Sequence, residues 1–297
     1  MSAIVVLGSA NLDLVVRTPR LPRPGETMFG TEFFTTPGGK GLNQAVAAAR
    51  AGGDVAFLGA VGRDAFGEQM RQRLRDDGID IHGLEEVDIP SGTAHITVVP
   101  GGENAIVVIP GANMAITSLD EDAQGRIEGA RYLVAQLERP IELIGEAFVV
   151  ARGLGIQTVL TPAPVQPIDH ALLQLVDVLI PNAQEACELA GVADETEAAI
   201  TLSRGCGLVV MTRGARGALV AREGAVISEV PAPVVEAVDT TGAGDTFAGV
   251  LVARLAEGDD LDAALHAAAV AASISVTRPG TTTSMPTWDE IAAALKR

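Results

Sequence analysis

Hydrophobic positions along the chain fall into short unbroken runs separated by segments with helical spacing. "AIVVLG", residues 3–8, is β-branched and closes on glycine, which predicts a buried strand. "GLNQAVAAARAG", 41–52, predicts a helix closed by glycine, and "DVAFLGAVG", 54–62, a second buried strand. In 64–78, Phe66, Met70 and Leu74 recur four apart on one helical face. The alternation resumes with strands at 130–137, 156–164, 175–182 and 207–214. Helices are expected at 141–155 and 183–191, and two alanine-rich ones at 243–257 and 260–276. This order predicts an α/β fold: a three-layer, doubly wound, mostly parallel sheet with helices on both faces.

Two stretches break the rhythm. Residues 12–37 are proline-rich and extended, and 92–109 are two β-like runs around the turn Pro100-Gly101-Gly102. Both read as β excursions from one core, so the expectation is a single domain, 1–297. A small sheet formed from about 12–37 and 92–110 would serve it as a lid or contact surface.

Composition narrows the function. With a net charge of −17 over 297 residues, the chain repels nucleic acid and anionic membranes. Cys187 and Cys206 lack metal-cluster spacing, and the four histidines form no H-x-x-x-H pair. No segment has the unbroken apolar length of a membrane span. The N-terminus lacks the basic start of a signal peptide, so the cytoplasm is the expected location.

Five segments carry candidate chemistry. Asn11 and Asp13 directly follow the first strand, where open α/β sheets bind ligands; turn capping is the simpler use of the same residues. "PGGKGLNQA", 37–45, combines glycines that permit close approach to a ligand with Lys40, one of only two lysines. It has neither Walker A nor dinucleotide spacing. Asn182 and Glu185 suit either a helix cap or the neighbourhood of a magnesium-bound phosphate. "MTRGARGALV", 211–220, is a hairpin or a nucleotide edge. In "VDTTGAGDTFAGVLVARL", 238–255, a small-residue loop opens a helix as an anion site would, yet Asp245 stands inside it.

"PGGKGLNQA" and "DTTGAGDTF" together, about two hundred residues apart and accompanied by "NLD", "PGAN", "QLE", "PNAQE" and "TRGARG", resemble the ribokinase-like (PfkB) family of sugar kinases over essentially the whole chain. The resemblance implies transfer of the γ-phosphate of ATP to the 5-hydroxyl of D-ribose. Deoxyribose, fructose, a keto-deoxy sugar acid or a nucleoside are the alternative acceptors. It implies a sugar site of Asn11, Asp13, Gly38, Gly39, Lys40, Gly41, Asn43 and Glu138, with Asp245 as base and Gly242, Ala243 and Gly244 as the anion hole. Asn182, Glu185, Thr212, Arg213, Gly214, Ala215, Arg216, Gly217, Gly244 and Ala269 would face ATP and Mg²⁺. Asp239, Thr241, Ser275, Arg278, Gly280 and Ser284 would surround an activating K⁺. A homodimer formed through the lid is also implied. Two positions depart from the family pattern. Ala269 stands where some relatives carry histidine or asparagine, which leaves packing to hold the adenine. Leu42 replaces a smaller residue, and either points away from the sugar or narrows its pocket.

Overall fold

The computed structural model describes residues 2–101 and 104–296. The first half of the chain runs β1 (Ile4–Leu7), β2 (Asn11–Arg17), β3 (Glu32–Gly38), α1 (Lys40–Arg50), β4 (Val55–Gly62), α2 (Ala65–Asp76), β5 (Leu84–Val87), β6 (Gly92–Val98) and β7 (Asn104–Ile109). A 3₁₀ turn at Gly111–Met114 leads to α3 (Glu121–Ile127), β8 (Tyr132–Gln136), α4 (Ile141–Gly153), β9 (Gln157–Thr161), α5 (His170–Gln174) and β10 (Val178–Leu179). Then follow α6 (Ala183–Ala190), α7 (Glu195–Leu202), β11 (Leu208–Thr212), β12 (Ala218–Arg222), β13 (Ala225–Val230), α8 (Ala243–Glu257), α9 (Leu261–Ser275) and α10 (Trp288–Leu295).

Nine strands form the main sheet in the order β13-β12-β11-β10-β9-β8-β1-β4-β5. It is parallel except at β11–β12 and β12–β13. The central strands β1, β4, β8 and β11 are mainly apolar because the sheet is covered there on both faces. Ile4 and Val6 pack on one side with Phe57 and Val134, while Val5 and Leu7 pack on the other with Leu58 and Leu133. The first face carries residues of α1, α2, α8, α9 and α10, the second those of α3 to α7. The predicted three-layer doubly wound fold is therefore present.

The two β excursions meet in a separate four-stranded sheet, β3-β2-β6-β7. Its outer pairs are antiparallel and its central β2–β6 pair is parallel. The β6–β7 hairpin forms, although Gly102 of its expected turn lies outside the described residues.

The strand expected over 175–182 reduces to Val178–Leu179, because Pro181 has no N–H to give a ladder. β5, α3, α5, α7, the β12–β13 hairpin and α10 are additions. α10 opens on a Thr287/Glu290 capping box, a pattern visible in the sequence. Among the described residues no helix is long and apolar enough to cross a membrane.

Candidate active site

Helix α1 begins against the β1–β2 connection. Gly39, its N-cap, has φ 90°, a conformation suited to glycine, and offers no side-chain cap. The orphan amides at this helix start are met from elsewhere. Lys40 N donates to Glu138 Oε2 at 3.0 Å, Gly41 N to Ser9 Oγ at 3.2 Å and Leu42 N to Ser9 O at 2.9 Å. Ser9 Oγ also donates to Glu138. Gly41 must be glycine because a Cβ there would strike the backbone of Gly8 and Ser9. Asn113, from the "PGAN" segment, accepts from Ala10 N at 2.9 Å and donates to Asn11 Oδ1 at 2.8 Å, which fixes the Asn11 amide. Gly38 lies directly over the Asp13 carboxylate. Leu42 is fully buried in the core, so it points away from this site.

Helix α8 lies on α1, and the approach is set by Gly249: a Cβ there would run into the Gln44 carbonyl and come within 2.7 Å of Ala47 Cβ. One turn earlier, Asp245 is drawn into contact with α1. Asn43 Nδ2 donates to Asp245 Oδ2 and Gln44 Nε2 to Asp245 Oδ1, each at 3.0 Å. Gln136 Nε2, at the end of β8, donates to Gln44 Oε1 at 2.8 Å. All four side chains are buried. Asn43 Oδ1 and Gln136 Oε1 are buried with no protein partner among the described residues, so the polar network is left open at two acceptors.

The electrostatics tie these groups together. Burial, and then the charges of Glu138 and Asp245, push the Asp13 carboxyl up to about 7. Burial lowers Lys40, but the facing carboxylates of Asp245, Glu138 and Glu185 outweigh it, so its ammonium is held above the ordinary range. Burial raises Glu185 against the opposing pull of the Asn182 amide and Lys40. One cation thus sits among four carboxylates, which suits a site that handles hydroxyl groups beside phosphate. A cleft of about 900 Å³ opens next to it, between the small sheet at Asp13, Thr36 and Ile96 and the loops at Asp239–Thr241 and Pro279–Thr281.

A second cleft, of about 300 Å³, adjoins the start of α8. Thr212, Gly214, Ala215, Gly217, Gly244 and Ala269 line it, and its walls are mostly apolar. Gly242, the N-cap of α8, has φ 72° and makes no side-chain cap. Ala243 N reaches Thr240 O at 3.3 Å, whereas the amides of Gly244 and Asp245 meet no acceptor among the described residues. Unlike those of α1, these amides are open, at the positive end of the helix dipole. A Cβ on Gly244 would meet nothing within 4 Å. The first turn therefore leaves a cradle for an anion.

Other expected nucleotide residues are engaged elsewhere. Asn182 and Glu185 form a reciprocal capping box at 2.8 Å on both sides. Arg216 makes two 2.6 Å bonds to Glu195, and Arg213 one of 2.6 Å to Glu229. None of the four lines the 300 Å³ cleft. The "TRGARG" segment is the turn of the β11–β12 hairpin.

Asp239 holds two segments together, accepting from Thr241 N and Gly280 N at 2.9 Å each. Burial raises its carboxyl, but the bonds from Thr241 and Gly280 outweigh this and hold it below the usual range. Ser275, Arg278 and Ser284 lie in the chain around Gly280. The Ser284 hydroxyl donates to Thr281 O, and Arg278 pairs with Glu290. Ser9, Gln44, Gln136 and Asn113 complete the site beyond the predicted set. Gln44, Gln136 and Asn113 fall inside motifs already visible, while Ser9 had no signal of its own.

The model of pfkB family carbohydrate kinases matches residues 1–288. The chain is 39% identical over 295 residues to the ribokinase of Haemophilus influenzae, spanning 97% of this chain and 96% of that one. It is 40% identical over 294 residues to the ribokinase of Bacillus subtilis, spanning 98% of both. The solved structure of Arabidopsis thaliana ribokinase complexed with ribose and ATP superposes with a TM-score of 0.94 at 30% identity, over 100% of this chain and 99% of that one.

Proposed function

The chain belongs to the pfkB family of carbohydrate kinases, and from that premise we propose that it is an ATP-dependent ribokinase, transferring the γ-phosphoryl group of ATP to the 5-hydroxyl of D-ribose. The observation that carries the reading is the start of α8. There a buried carboxylate, held by two amides of α1, stands in the same helical turn as two unanswered N–H groups. Phosphoryl transfer needs those two things side by side: a base for the attacking hydroxyl and fixed donors for the charge on the transferring group.

Asn11, Asp13, Lys40, Asn43 and Glu138, with the backbone of Gly38, Gly39 and Gly41, hold the sugar hydroxyls. Asp245 takes the proton from the attacking oxygen. The amides of the Gly242–Gly244 turn and of Asp245 face the phosphoryl oxygens. Thr212, Gly214, Ala215, Gly217 and Ala269 pack the nucleotide in the adjoining cleft, while Arg213 and Arg216 of the same segment pair with Glu229 and Glu195. Asn182 and Glu185 would hold Mg²⁺, which would supply charge neutralisation for the phosphates when bound. Carbonyls and side chains at Asp239, Thr241, Ser275, Arg278, Gly280 and Ser284 would hold K⁺, and the Asp239–Gly280 bond brings their two segments together.

The small sheet is a lid over the sugar and the dimer surface. Its edge strand β7 is exposed along its whole length and carries Ile106, Val107, Val108 and Ile109, a row that a second copy would cover. Cys187 and Cys206 are free thiols, in keeping with a cytoplasmic location.

A sugar panel tests the assignment. With ATP, kcat/KM for ribose should exceed that for 2-deoxyribose and fructose. Turnover of either at the ribose rate would remove the ribose assignment. Replacing K⁺ by Na⁺ should lower activity if the cation site is as described.

A further inference from the structure

Residues 138 and 139 diverge across the main sheet. Glu138 turns to the start of α1, while Arg139 passes to the opposite face, the one covered by α4. Arg139 is 1% exposed, the largest fully buried side chain among the described residues. Its Nε and Nη1 have no hydrogen-bond partner, and the guanidinium takes part in no ion pair among the described residues. Burying an unpaired guanidinium costs several kcal/mol, and proteins rarely leave one without a compensating group. Burial pulls its affinity for a proton down to about 10, against the opposing effect of Glu85.

Arg139 forms part of the wall of a cleft of about 350 Å³, between β4, the start of β5, residues 115–123 and the start of α4. Three carboxylates also line it, and two are engaged: Asp120 caps α3 through Ala123 N at 2.8 Å, and Asp122 pairs with Arg126 at 2.8 Å. Glu85 makes no side-chain hydrogen bond or ion pair among the described residues. The cleft therefore presents one free buried cation and one free exposed carboxylate that sense each other without touching. Leu7, Leu58, Ile116 and Leu143 give it an apolar side.

We propose that this cleft is a second ligand site, separate from the sugar and nucleotide clefts, and that it takes an aliphatic α-amino acid. The ligand carboxylate accepts from Arg139 Nη2, the one guanidinium nitrogen that is not enclosed. Its ammonium faces Glu85, and its side chain lies on the leucines. A dianion fits poorly, because the mouth of the cleft is acidic. A zwitterion satisfies both unpaired charges at once.

Calorimetric titration of the full chain with glycine, valine, leucine and isoleucine, alongside acetate and n-butylamine, tests this. At least one of the amino acids should bind one per chain, about tenfold or more tighter than either half-probe. Arg139→Met and Glu85→Gln should each weaken that binding about tenfold or more. No amino acid binding, binding no tighter than acetate or butylamine, or binding undiminished in Arg139→Met overturns the proposal. Thermal unfolding supplies an independent check. Arg139→Met keeps the stem and removes the buried charge, so its Tm should rise. A lowered Tm would mean that the protein itself satisfies the guanidinium, which also overturns the proposal.

Discussion

Gln44 Nε2 donates to Asp245 Oδ1 at 3.0 Å, while its own Oε1 accepts from Gln136 Nε2 at 2.8 Å. Gln44 is thus a positioning residue, and the direction of the Asp245 carboxylate depends on a side chain that never reaches the sugar. Gln44→Leu should lower kcat about 10- to 100-fold with little change in the sugar KM, and should cost about 1–3 kcal/mol because Gln136 loses its acceptor. Adding Gln136→Leu should return most of the stability, since both partners are then apolar, without restoring kcat. Urea unfolding and steady-state kinetics on the three variants check both halves. If the double variant recovers kcat, Gln44 matters only for packing.

Asp245→Asn keeps the shape and removes the proposed base. kcat should fall by about 10²–10⁴ or more while ribose binding by calorimetry stays within a few-fold. Turnover near the wild-type rate would take Asp245 out of the proton transfer.

Two glycines two positions apart at the start of α8 should behave oppositely. At Gly244 an added methyl meets no protein atom, so Gly244→Ala should fold as well as the parent or gain up to about 1 kcal/mol. The methyl would occupy the anion cradle, and kcat/KM for ATP should drop at least about tenfold. Gly242 has φ 72°, and its added Cβ would lie 2.5 Å from Thr281 Cγ2, so Gly242→Ala should lose about 1–2 kcal/mol or more. Melting temperatures and ATP titrations of the pair separate the two effects. Equal loss of stability in both would discredit the cradle.

Asp13 gives the pH dependence. Its folded-state carboxyl is raised from 3.8 to about 7, so between those values the folded chain binds a proton that the unfolded chain has released. Stability from this group therefore declines as pH rises from about 4 to about 7. Asp13→Asn should flatten that decline. The ionised carboxylate is the stronger acceptor of sugar hydroxyls, so kcat/KM should climb through about pH 7 in the parent. The inflection should vanish in the variant. A profile of the same shape in both would assign it to another group.

The layered fold was legible because each core strand is apolar on both faces, as Val5 and Val6 show by packing on opposite sides. The carboxylate in the small-residue loop was legible as an anomaly, and the partners that explain it lie 201 and 202 positions away in sequence. Asn43 belonged to a recognisable motif. Gln44 did not stand out, since its use depends on how closely α8 approaches α1, and Gly249 sets that distance through a contact no linear pattern encodes. The capping role of Asn182 and Glu185 was readable from their spacing. The engagement of Arg213 and Arg216 was not, because Glu195 and Glu229 come from separate elements. Arg139 was invisible for the opposite reason: what distinguishes it is the absence of a partner.

Asp245, the proposed base, and the open amides share one turn of α8, whereas the groups proposed to face the sugar come from β2, the start of α1 and the segment just after β8. Chemistry and recognition are therefore separately inherited parts. A lineage, or an engineer, could exchange the sugar by altering side chains on the second group while the first stays untouched, since the distance from proton acceptor to phosphoryl cradle is fixed by helical pitch. The same division predicts where drift is tolerated: many changes at the rim of the pocket, few within the single turn proposed both to accept the proton and to face the phosphate.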